Sequence, residues 1–119
     1  MRDLTTWVAG AQAVYFVATG AWPLVHIPSF LAVTGPKTDL WLVRTVGVLV
    51  LVIGVVIGLA AYRGGIDGQV ITLAIGGAVA LAAVDVIYVL KRVIPRIYLL
   101  DAVVEVVLMA AWAVALSMP

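Results

Sequence analysis

The chain has no cysteine and a single histidine. The first absence removes disulfides, thiolate metal sites, iron–sulfur clusters and thiol–disulfide exchange together. The second leaves His26 without a partner imidazole, so no metal and no cofactor is expected. Charge is scarce as well: seven Lys and Arg stand against six Asp and Glu, 11% of 119 residues, for a net charge of +1. So weak a basic balance offers no footprint for nucleic acid. Alternating polarity is also missing. The apolar runs have no period of two and are too long for the strands of an outer-membrane barrel.

Apolar residues take the place of charge. Hydrophobic residues make up 66% of the chain, and the mean hydropathy of +1.25 leaves too little polar surface for a water-soluble domain of this length. Crossing a hydrocarbon core of ~30 Å takes about 20 consecutive apolar residues. Four segments qualify, about 5–27, 40–62, 69–90 and 97–118. With no water to satisfy backbone groups, such segments must be helical. The expected fold is all-α, a bundle of four transmembrane helices in a single domain over 1–119. Gln12 and Tyr15 interrupt the first run, so it is expected to be a retained span and not a cleaved signal peptide.

Three short links join the spans: "HIPSFLAVTGPKTD", with Pro28, Gly35 and Pro36; "RGGIDG"; and "KRVIPR", with Pro95. The first and third links fall on one side of the membrane. Lys37, Arg44, Lys91, Arg92 and Arg96 lie on that side and only Arg2 and Arg63 on the other, which predicts a cytoplasmic first side and both termini outside the cytoplasm, in a multi-pass protein of the inner (plasma) membrane.

Polar residues inside the spans are few and patterned. Gln12, Tyr15, Thr19, Trp22 and His26 follow one another at helical steps, within a sector of about 80° on the first span. Tyr98, Asp101, Glu105 and Trp112 do the same on the fourth, and Asp85 and Tyr88 share a face near the end of the third. Glu105 is expected about 12 Å inside its helix, too deep to reach water along the helix surface, so it should face protein or a wet cavity. On the second span Arg44 shares a stripe with Gly47, Gly54, Gly58 and Ala61. The Gly54–Gly58 spacing permits close helix approach, either within the bundle or to a second copy in a homo-oligomer. "DLWLVR" and "RIYLLD" open the second and fourth spans with matching patterns of reversed charge, which puts Arg44 and Asp101 at equal depth and makes them the expected ion pair, the alternative being that Arg44 snorkels to the cytoplasmic headgroups.

Chain direction brings all four polar sets into one leaflet. A cleft is therefore predicted, open toward the first and third links, lined by Gln12, Tyr15, Thr19, Trp22, His26, Arg44, Tyr88, Tyr98 and Asp101 as ligand-binding residues. Glu105 and Asp85 are the candidates for proton donor or acceptor. One arginine cannot neutralise three acids, and a surplus acid in such a site is expected to carry a proton or hold a cation. The function expected is binding of a small lipophilic or cationic ligand, with acid–base chemistry on it left open. The alternatives are a structural or accessory bundle in which ion pairs fix helix register, and, less favoured, a proton-coupled transporter, which the apolar opposite leaflet disfavours.

The polar cluster near four helix ends, with the first link reading "TGPKTDLWLVR", is similar to that of small bacterial membrane proteins of the DoxX-like type. More distantly it resembles the four-helix sterol-isomerase and sigma-2-receptor group, whose members hold amine-bearing or sterol ligands with intramembrane acids. Both resemblances imply architecture only. Small multidrug-resistance transporters are set aside because their first-helix glutamate is replaced by Gln12, and fluoride channels because "ITLAIGGAVALAAVDVIYVL" has no polar break.

Overall fold

The computed structural model describes residues 3–118. Five helices account for nearly all of them: α1 Leu4–Val25, α2 Ile27–Thr34, α3 Leu40–Arg63, α4 Gly68–Leu90 and α5 Tyr98–Ser117. Four are long and apolar enough to cross a membrane, and the long axis of 46 Å matches a bilayer with its headgroups. Outward-facing side chains such as Val14, Val52 and Val103 are largely exposed, as an exterior solvated by lipid requires.

The predicted spans lie close to α1, α3, α4 and α5, but the first stops short of residue 27. His26 leaves the helical region at φ −149°, and its ring accepts from the Ser29 backbone N–H. Pro28 then falls in the first turn of α2, where a missing N–H costs nothing. The first link is thus partly a helix of eight residues, which ends where Gly35 adopts φ 97°. The other ends are closed by local chemistry. Gly64 terminates α3 in the left-handed conformation, with the Gly65 N–H bonded to the Ala60 carbonyl. Asp67 caps α4 through the Val70 N–H at 2.9 Å.

The bundle is built as two pairs. α1 packs most extensively on α3, and α4 on α5. The first pair is close because glycines face each other across it: a Cβ on Gly20 would stand 2.6 Å from the Gly47 carbonyl oxygen and 2.6 Å from the Leu51 nitrogen. Gly54 receives Phe16 and Val17 of α1 in the same way, and Gly58 receives Ala13. The Gly54–Gly58 face is therefore packed against α1 of the same chain. Close backbone approach is the usual basis of helix association in lipid, where burial of apolar surface drives nothing.

The two pairs join tightly at one end only. Val8, Ala9, Ala13, Ile57, Ala61, Ala74, Trp112 and Ala115 form a buried cluster drawn from all four long helices. At the other end, beside the first and third links, the pairs part and leave a cleft.

Candidate functional site

The cleft has a volume of about 860 Å³, within the usual range for small-molecule sites. Its walls are mainly apolar, with Val43, Val46 and Val50 from α3 facing Leu81 and Val84 from α4. Tyr15, Thr19 and Trp22 contribute from α1, Asp85 from α4, and Tyr98, Asp101 and Glu105 from α5. Seven of the eleven side chains predicted for a site thus line one space.

Their chemistry is uneven. Thr19 donates its hydroxyl to the Tyr15 carbonyl of its own helix at 2.8 Å, and Trp22 donates its indole N–H to Ser29 at 2.9 Å, tying the end of α1 to α2. Tyr15 reaches across to α5, donating to Asp101 Oδ1 at 2.5 Å. Glu105 is fully buried and Asp85 5% exposed. Among the described residues neither Glu105 oxygen nor Asp85 Oδ2 has a hydrogen-bond partner, and Asp101 lines the same cleft. Carboxylates gathered in one largely apolar space repel unless a proton or a cation is shared among them. Among the described residues no group of three or more His, Cys, Asp or Glu is arranged to hold a metal ion.

The other four predicted residues lie elsewhere. Arg44 is exposed and does not line the cleft; the pair expected with Asp101 is replaced by the bond from Tyr15. The reason is depth. Arg44 is four residues into α3, about 6 Å from its start, so its long side chain can reach the headgroup region from the edge of the packed face. Gln12 lies beneath the cleft, fully buried, donating to the Ala74 carbonyl at 2.8 Å and accepting from the Trp112 indole at 2.7 Å. With both ends of its amide engaged, it fastens three helices and does not line the cleft. His26 is exposed, its ring caps α2, and it bonds Ser29 Oγ at 2.8 Å. Tyr88 is also turned outward, with the Lys91 ammonium 5.7 Å from its ring centroid.

Lys37 and Phe30 also line the cleft and are absent from the predicted set. The Lys37 ammonium lies between the rings of Phe30 and Tyr98, 5.3 and 5.2 Å from their centroids, and Trp22 packs edge-on against Phe30 at 5.3 Å. All three Lys37 donors are engaged, on the Thr34 carbonyl, the Thr34 hydroxyl and the Gly35 carbonyl. A lysine at the end of α2 suits the negative end of the helix, and it holds the linker over the cleft mouth. It is committed there and does not neutralise the acids below. The signal for this arrangement was present in "HIPSF": a capping pair three residues apart around a proline marks a helix start.

No protein-family model, curated protein or solved structure matches the chain.

Proposed function

We propose that the protein binds a small lipophilic molecule bearing a cationic or hydrogen-bond-donating group, and that the acids Asp85, Asp101 and Glu105 receive that group. The observation that carries this reading is the set of buried carboxyl oxygens on Glu105 and Asp85 that no donor among the described residues satisfies. A buried charge or polar group without a partner is costly, and an isolated acid cluster that served only to fix helix register would be expected to contain its own cation. Here Arg44, the expected source of that cation, is exposed and does not line the cleft. The apolar walls above the acids suit a hydrocarbon body, and the aromatic rings of Tyr15, Trp22 and Tyr98 suit an ammonium. Glu105 and Asp85 are the groups placed to exchange a proton with such a molecule.

The location belongs to the same reading. The cleft opens on the side of the first and third links, which carry Lys37, Lys91, Arg92 and Arg96, and the excess of basic residues there supports a cytoplasmic mouth in the inner (plasma) membrane.

The test is equilibrium binding of dodecylamine to the purified protein in detergent. Removing one charge-assisted contact is worth about 1.5–3 kcal/mol, so Glu105→Gln and Asp85→Asn are each expected to raise Kd by at least about tenfold. An unchanged Kd in both variants would contradict the proposal.

A further inference from the structure

The two seams between the helix pairs are built differently. Along the α1–α5 seam, Tyr15 bonds Asp101 and Trp112 bonds Gln12, at 2.5 and 2.7 Å. The α3–α4 seam has no such stitch. These helices are consecutive in sequence, joined by a short turn at the closed end, yet they touch less than any other packed pair of long helices. Ile57 and Ala61 of α3 meet Ala74 of α4 in the buried cluster at that end, and from there the helices separate.

What faces the separation is hydrocarbon. Val43, Val46 and Val50 stand on one side, Leu81 and Val84 on the other, and all line the cleft. Val46 and Val84 are also 49% exposed each. With about half of each side chain free of protein contact, and α3 touching α4 so little, the two helices leave a gap lined by hydrocarbon. Its depth is that of the acids. Val46 and Val50 lie about 9 and 15 Å along α3 from its start, and Val84 and Leu81 about 9 and 14 Å back from the end of α4. Asp85 and Glu105 lie about 8 and 11 Å from the corresponding ends of α4 and α5. The opening therefore meets acyl chains and not water.

The end toward the links is built differently. Phe30 of α2 lines it, held against Trp22, and Lys37 is fixed there by three hydrogen bonds.

We infer that the ligand reaches the acid cluster sideways from the bilayer, between α3 and α4, and that it is a membrane-dissolved amphiphile whose hydrocarbon body stays along Val46, Val50, Leu81 and Val84 while its polar group turns inward to Asp85 and Glu105. This rests on the binding reading above and adds the route and the ligand class.

The chain has no cysteine, so Val46→Cys with Val84→Cys gives a unique pair that a flexible bis-maleimide can tether across the seam. The protein is placed in phosphatidylcholine vesicles with radiolabelled dodecylamine as the probe. When the tether is closed first, uptake is expected to be at least tenfold slower; when the probe is loaded first, its release is expected to be at least tenfold slower. Val84→Phe, which adds bulk to the seam without a cross-link, is expected to slow uptake in the same direction while circular dichroism shows an intact helical fold. Uptake and release indifferent to the tether and to Val84→Phe, with binding still lost in Glu105→Gln, would overturn the lateral route alone. Failure of the untethered protein to bind dodecylamine in a Glu105-dependent way would overturn both the route and the binding reading.

Discussion

The Tyr15 hydroxyl donates to Asp101 Oδ1 at 2.5 Å across the seam between the first and last helices. That bond takes the place of an ion pair with Arg44, and among the described residues the neighbouring acids have no basic partner. The electrostatics of the cleft follow from this exchange, because a neutral phenol orients a carboxyl without cancelling its charge.

Arg44→Leu tests the exchange directly. Since Arg44 is exposed, its replacement is expected to change stability by less than about 0.5 kcal/mol. Breaking a buried pair would cost about 3–5 kcal/mol. Thermal unfolding in detergent separates the two, and a drop in the larger range would place the guanidinium inside the bundle after all.

Gln12→Leu removes the fastening beneath the cleft. The Trp112 indole N–H and the Ala74 carbonyl would lose their side-chain partner in a fully buried setting. Interhelical hydrogen bonds in membranes are worth about 0.6–2 kcal/mol, and a loss in that range is expected by reversible unfolding, with a blue shift of the Trp112 emission. A neutral effect would mean that the amide bonds are not made.

The glycines of the spans differ in tolerance. A Cβ at Gly20 meets backbone at 2.6 Å, whereas at Gly58 the nearest atom is the Ala13 Cβ at 3.3 Å and at Gly76 nothing lies within 4 Å. Gly20→Ala is expected to destabilise by about 1–3 kcal/mol or more through overpacking. Gly58→Ala should cost less, and Gly76→Ala should be neutral or stabilising, since alanine is the better helix former. Equal unfolding midpoints for the three variants would contradict the packing described.

Asp3 caps the first helix and titrates outside the membrane. Hydrogen bonds from the Thr5 hydroxyl and the Thr6 backbone N–H hold its carboxyl below the usual carboxylate range. A depressed value contributes stability that is fully present above the ordinary aspartate pKa and is lost as the pH falls through the value in the folded protein. Protection of the Thr6 amide from hydrogen exchange is thus expected to be flat above about pH 5 and to fall below about pH 4. Asp3→Asn, which keeps an acceptor but cannot titrate, should abolish that pH dependence; its persistence would assign it to another group.

The four spans were legible because hydropathy and helix length are one-dimensional properties, and each predicted boundary lies within two residues of a helix end. The gathering of Tyr15, Asp85, Asp101 and Glu105 was legible too, since helical period and alternating chain direction are enough to place them in one leaflet. Rotation within a few tens of degrees was not. Arg44 lies at the edge of the glycine face, where a long side chain turns outward, and Gln12 lies one turn below the cleft, where Ala74 and Trp112 take up its amide. Neither outcome is set by spacing; both depend on which atoms the neighbouring helix presents. Lys37 escaped notice for a different reason. Its role comes from α2, a helix inside a link that prolines and glycine mark as irregular.

The most direct measurement of the central claim is native mass spectrometry of the protein extracted from its membrane in mild detergent, wild type beside Glu105→Gln. The account predicts a small molecule retained by the wild type and reduced at least tenfold in the variant, at an unchanged or higher unfolding midpoint, because the substitution removes a buried carboxyl without removing volume. A wild type that retains nothing, or a variant that retains the same molecule to the same extent, would contradict it.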